Sequence, residues 1–232
     1  TAVGSPCVDD GESLPLHGTV SHIPCEQFSY DINDESITVN LKLYDAALFS
    51  HKLMLERKYI CGMNDDILII RDKVTNIGSK QTPYMILYHC NFGYPLLCEK
   101  SRLEINSTGV APRDARAEEG IAEWNKILTP QADFTEQCYY HTFSEKPRIS
   151  LSNPEIKTEM TMTFSDKSLD CFTQWKMMGE YEYVMGLEPG NCLPDGRDVM
   201  REKGILKFLA PGESAENEIR FEFKKLKKAA VN

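Results

Sequence analysis

Two histidines and one glutamate stand in settings suited to proton transfer. His17 lies between Leu16 and Gly18, His89 within Tyr88-His89-Cys90-Asn91-Phe92, and Glu188 within Leu187-Glu188-Pro189-Gly190. An imidazole titrates near neutrality, and a carboxyl joins it there once burial raises its pKa. Such a set suffices for acid–base work on a sugar hydroxyl and a ring oxygen. The three segments are far apart in sequence, so only the fold can join them.

The neighbours of these residues sharpen the reading. Asn91 can bond hydroxyls, while Phe92 and Tyr94 offer apolar faces to the C–H side of a pyranose. Pro189 fixes the backbone just after Glu188, and Gly190 permits close approach. Each segment also has a plainer reading. His89 also reads as a hydrogen-bonded core histidine with Asn91 capping a turn, and Glu188 as a surface carboxylate at a strand end. Arg113 and Arg116 either reach an anionic group or form a salt-bridged loop. Trp124 and Trp175 either stack on a sugar or fill the core. His22 follows His17 at a spacing that specifies no metal site.

The elements that must position these residues read as strands. Ile37, Val39, Leu41 and Leu43 alternate with Thr38, Asn40 and Lys42, and Ile219, Phe221 and Phe223 alternate with Arg220, Glu222 and Lys224. Met160, Met162 and Phe164 do the same with Thr161 and Thr163. This period puts apolar side chains on one sheet face. Further strands are expected over 53–60, 67–75, 82–88, 138–143, 148–151 and 205–209. Gly-, Asn-, Asp- and Pro-rich turns separate them, as at Gly62-Met63-Asn64-Asp65-Asp66 and Pro211-Gly212. The spacing predicts an all-β, mostly antiparallel sandwich. One helix is expected over Asp114–Leu128, weakened by Gly120.

Bulk composition narrows the partners. With 26 basic and 35 acidic residues the chain carries a net charge of −9. That disfavours nucleic acid and anionic membranes. Lys224, Lys225, Lys227 and Lys228 read as a solvated end. None of the eight cysteines forms a CxxC pair, which predicts reduced thiols in a cytoplasmic protein. No apolar run reaches the ~18 residues of a membrane span.

Taken together, Leu16-His17-Gly18, then Pro83 to Phe92, then Gly186-Leu187-Glu188-Pro189 resemble the aldose 1-epimerase (galactose mutarotase-like) superfamily in order and local pattern. Asp72-Lys73-Val74-Thr75-Asn76 and Pro211-Gly212-Glu213 are similar to it as well. The stretch Tyr88–Leu97 looks closest to an uncharacterised bacterial branch, with Cys90 as an extra position. The resemblance implies a β-supersandwich with its site in a concave sheet face, formed here by one domain over residues 1–232 that lacks N-terminal strands. It implies His89 as the acid that protonates the ring oxygen, Glu188 as the base at the anomeric hydroxyl, and His17 as a helper. Asn91, Phe92, Tyr94, Arg113 and Trp175 would bind the sugar. The family's Arg upstream of the His-Gly pair has no counterpart in these residues. Its later sugar-binding Asp leaves Asp133 and Glu136 as candidates.

The expected function is therefore interconversion of the anomers of a small-molecule sugar, with neither metal nor organic cofactor. The rival is a non-catalytic carbohydrate-binding module of the same fold. A third reading gathers two histidines and a carboxylate around a divalent metal. Exposed edge strands make a homodimer an expectation as well.

Overall fold

The computed structural model describes residues 2–226, so Lys227 and Lys228 of the basic end lie outside the described residues. Among the described residues, seventeen strands and two short α-helices follow one another. In chain order the strands are β1 (Cys7–Asp9), β2 (Glu12–Leu14), β3 (Gln27–Ile32), β4 (Ser36–Ala46), β5 (Lys52–Gly62), β6 (Ile67–Asn76), β7 (Thr82–Tyr84), β8 (Cys90–Phe92) and β9 (Arg102–Ile105). They continue as β10 (Gly109–Pro112), β11 (Gln137–Thr142), β12 (Arg148–Asn153), β13 (Thr158–Phe164), β14 (Cys171–Gly179), β15 (Glu182–Gly190), β16 (Lys207–Leu209) and β17 (Ser214–Lys225). The helices are α1 (Ala115–Glu118) and α2 (Arg197–Glu202). Two compact units result. Unit 1 takes residues 2–87, 167–170 and 190–219, and unit 2 takes 88–166, 171–189 and 220–226.

In unit 1 the strand order is β3-β4-β5-β6-β17, with β1–β2 and β7–β16 as separate pairs. The alternation seen in the sequence sets the register: Phe28, Tyr30 and Ile32 of β3 face Leu41, Val39 and Ile37 of β4. Leu53, Leu55, Val74, Tyr84 and Leu209 close into a core cluster. A second anchor in this unit is ionic. Arg197, 2% exposed, donates through Nε to Asp9 Oδ2 at 2.6 Å and through Nη2 to Glu12 Oε2 at 2.8 Å. One helical turn on, Arg201 reaches both carboxylate oxygens of Asp9. His51 continues the network, with Nδ1 3.0 Å from Glu12 and Nε2 3.1 Å from Asp45.

Unit 2 holds a five-stranded sheet, β10-β11-β14-β15-β8, and the run β17-β13-β12-β9. Ile149, Leu151, Met160 and Met162 are fully buried there, and Phe164 stacks on Phe172 with ring centroids 5.7 Å apart. His141 sits in the same interior. Its Nε2 lies 3.2 Å from Gln174 Oε1, and its ring meets Phe172 edge-on. Burial pushes its pKa from 6.5 down to about 4. The folded imidazole therefore binds fewer protons than the unfolded one between those values, and stability is lost as pH falls through that window. The expected loss is about 3 kcal/mol between pH 7 and pH 4 from this group. Urea unfolding of His141→Gln beside the parent checks it. A variant with the same acid slope as the parent would remove His141 as the cause.

Two expected elements differ. The helical stretch is not one helix: α1 ends at Glu118, and a single 3-10 turn covers Ile121–Glu123. Gly120 sits at the break, where a Cβ would come within 2.2 Å of Gln137 Nε2. The apolar run 82–88 is not one strand either. Pro83 supplies no N–H, β7 stops at Tyr84, and the Ile86 N–H is taken by the Asn191 side chain at 2.8 Å.

Candidate active site

The five-stranded sheet of unit 2 presents one face that carries the candidate chemistry. Side chains alternate along each strand, so Gly186 and Glu188 of β15 share a face, as do Thr173 and Trp175 of β14. Asn91 of β8 is the register partner of Gly186, and Cys138 of β11 is the partner of Trp175. His89 immediately precedes β8 and lies two residues from Asn91. Glu188 lies two residues before the end of β15 and is not a surface carboxylate, being 2% exposed.

These positions bring His89 and Glu188 together. His89 Nε2 is 3.2 Å from Glu188 Oε1, an ion-pair distance, although the two are not aligned as a hydrogen bond. His89 Nδ1 lies 2.9 Å from Asn91 Oδ1, which fixes the ring plane. The pair is unequal in solvation, with the imidazole side chain 42% exposed and the carboxyl 2%. Burial pushes the Glu188 pKa from 4.5 up to about 8; the Arg113 charge opposes the rise and the Glu136 charge assists it.

Beside the pair stands a clamped aromatic. The Trp175 ring meets His89 edge-on at 5.3 Å, and its Nε1 donates to Glu136 Oε2 at 2.6 Å. Glu136 also accepts from Arg113 Nη2 at 2.8 Å, while Arg113 Nε donates to Asp114 at 3.0 Å. Burial alone would raise the Glu136 pKa. The Arg113 and Trp175 hydrogen bonds prevail and hold this carboxyl below the usual range. Two carboxyls on one face are thus set apart, one kept ionised by its partners and one driven toward neutrality by burial.

The sequence profile of a domain of unknown function, DUF4432, matches residues 1–223. The chain belongs to the DUF4432 family. No curated protein matches it. Solved structures do. A "putative aldose 1-epimerase" from Klebsiella pneumoniae superposes with a TM-score of 0.89 at 22% identity over 96% of this chain. The DUF4432 chain spans 61% of that protein's length. A galactose mutarotase-like protein from Clostridium acetobutylicum gives 0.69 at 14% identity, covering 97% of this chain and 79% of its own. Another from Lactobacillus casei gives 0.67 at 17% identity, covering 96% and 82%. The fold of this DUF4432 chain is therefore the galactose mutarotase-like one, all-β and mostly antiparallel.

The remaining sequence candidates fall in several places. Arg113 and Trp175 join the His89–Glu188 face of the DUF4432 chain. Of the two acidic candidates, Glu136 lies beside Trp175. Asp133 instead lines a shallow groove of about 310 Å³ with Phe134, Glu180 and Glu182. Phe92 alternates with Asn91 and packs against Phe221, with centroids 6.3 Å apart. Tyr94 is 83% exposed. Trp124 meets the buried His141 edge-on at 5.0 Å. Arg116 bonds Glu119 at 3.0 Å. His17 belongs to unit 1, where it adopts φ 60 and its N–H donates to Gly4 O at 2.7 Å. Among the described residues no three His, Cys, Asp or Glu side chains gather as a metal site, and no helix is long and apolar enough to cross a membrane. None of the eight cysteines, all of them described residues, forms a disulfide. Burial pushes Cys138, on the site face, up to about 12. Cys138 carries no motif, and Gly186, although it opens the Gly186–Pro189 segment, has no role that the sequence assigns to it.

Proposed function

We propose that this chain interconverts the anomers of a monosaccharide or close derivative by acid–base ring opening. The observation that carries the reading is the contact of a solvated imidazole with a buried carboxyl on a face that also holds a clamped indole. In a closed sugar, Glu188 as carboxylate takes the proton of the anomeric hydroxyl while His89 as imidazolium protonates the ring oxygen. The ring C–O bond breaks and the carbonyl forms. Rotation of that carbonyl and the reverse transfers close the ring as the other anomer. The reacting form is imidazolium with carboxylate, and it passes through neutral imidazole with carboxylic acid, so the pair holds one proton throughout.

Ready exchange between the two forms is what the burial of Glu188 favours. An exposed carboxyl near 4.5 would hold the pair in its ionised form. At about 8 the carboxyl comes close to an imidazole's ordinary range, and neither form is a trap. Trp175 offers the C–H side of the ring a rigid wall, and Asn91 keeps the imidazole turned toward the carboxyl. The sequence resemblance and the fold point the same way.

Saturation-transfer NMR or polarimetry across a panel of aldoses tests the proposal. Anomer exchange above the uncatalysed rate on at least one sugar is expected. Sugar binding without exchange would select the binding-module reading. His89→Ala and Glu188→Gln variants that matched the parent on every sugar would end the assignment.

A further inference from the structure

We infer that Gly186 is a positioning residue for Glu188: the side chain it lacks is the space in which the carboxylate lies. This rests on the catalytic reading of Glu188, but its geometry stands by itself. A Cβ placed on Gly186 would come 2.3 Å from Glu188 Oε1, 3.3 Å from its Cδ and 3.1 Å from Trp175 Cβ. The first distance is well inside contact. The backbone gives no other reason for glycine here, since Gly186 is not among the glycines with positive φ. Glycine inside a strand forfeits packing and chain stiffness, and such a residue commonly marks a close approach by another group.

The place of Gly186 in the sheet explains what approaches. Its register partner is Asn91, whose side chain fixes His89. On its other side is Trp175, tied to Glu136. Gly186 therefore forms the floor between the residue that orients the imidazole and the indole beside it. The carboxylate of Glu188 folds back onto that floor, two residues along the same strand face. There it is dry and 3.2 Å from His89 Nε2.

The atom in closest conflict is the far end of a flexible side chain. An alanine at this position is therefore accommodated mainly by swinging the carboxylate away, with Trp175 Cβ giving way by a few tenths of an ångström. Gly186→Ala should fold and lose the site geometry. A displacement of about 1 Å in reacting groups can cost about a hundredfold in rate. The expected result is a kcat lower by about that factor with KM changed far less. Carboxyl-selective ¹³C NMR, with Glu188→Gln identifying the resonance, should show the Glu188 titration moving down from the parent value as the group leaves its dry seat. In Gly186→Ala/Glu188→Asp, the shorter side chain withdraws from the new methyl. That variant should exceed the activity expected from multiplying the two single effects.

Gly186→Ala with parental kcat and a parental Glu188 titration overturns the inference. Should Gly186→Ala fail to fold, Gly186→Ala/Glu188→Ala decides. Recovery of the Glu188→Ala melting temperature places the conflict at the carboxylate, and continued misfolding overturns the inference. If Glu188→Gln proves fully active, the catalytic reading falls while the titration still tests the positioning.

Discussion

Glu188→Gln should lose about a thousandfold in anomer exchange and at the same time gain stability at alkaline pH. The activity loss follows from removing one partner of an acid–base pair, a contribution of about 10²–10⁴ in rate. Glutamine matches the size of the carboxyl and can bond His89, so the fold has no reason to change. The stability gain follows from linkage. The folded carboxyl keeps its proton up to about pH 8, whereas the unfolded chain releases it near 4.5. Between those values the native state binds more protons than the unfolded one, so stability falls as pH rises and the penalty is complete above 8. The difference corresponds to about 3–5 kcal/mol, with the upper part offset wherever His89 is protonated. Denaturant unfolding of parent and variant at pH 5 and pH 9 measures it. The variant's advantage should be small at the lower pH and reach kcal/mol size at the higher. An advantage independent of pH would show that the carboxyl is not held neutral by burial.

This combination separates a site from a core device. A carboxylate retained only for stability would be better replaced by glutamine at no functional cost. A buried, unaligned carboxyl within a strand is a standing liability to the fold. Its presence is accounted for when chemistry needs a base near neutrality.

Much of the fold was legible in the sequence because its cause is local. Period-two alternation marks β4, β13 and β17, and Gly62 to Asp66 and Pro211-Gly212 mark turns between strands. What escaped has a non-local cause. Helix α2 has six residues and no side-chain cap; Arg197 and Arg201 hold it to Asp9, far away in sequence. The run 82–88 looks like a strand, but the side chain that satisfies Ile86 belongs to Asn191. The candidate site divides in the same way. His89, Asn91 and Glu188 stood out through their own neighbours in sequence. Glu136 could be chosen over Asp133 only once the strands placed it under Trp175. Gly186 belongs to the late segment of the resemblance, but its role is silent in sequence because its meaning is the space above it.

Asp9→Ala should cost unit 1 about 3–5 kcal/mol. Asp9 is 4% exposed and accepts from two guanidinium groups, Arg197 at 2.6 Å and Arg201 at 2.6 and 2.8 Å. The Arg201 hydrogen bonds, together with those from Arg197, hold its carboxyl below the usual range against the opposing effect of burial. Deleting it leaves Arg197, 2% exposed, with Glu12 as its remaining carboxylate. The cost comes mainly from this stranded cation, because a buried pair as a whole is worth little over an apolar substitute. Asp9→Ala/Arg197→Met should therefore recover much of the loss, since the second change removes the charge that the first one stranded. The four-way comparison by urea unfolding isolates the coupling. The same pair predicts an acid limb. The lowered pKa of Asp9 gives stability that is complete above its unfolded value of 3.8 and is lost as pH falls through the folded one. A single-variant cost below about 1 kcal/mol would mean that solvent or neighbouring groups re-solvate Arg197 without Asp9. The N-terminal hairpin would then owe its place to apolar contacts rather than to this charge.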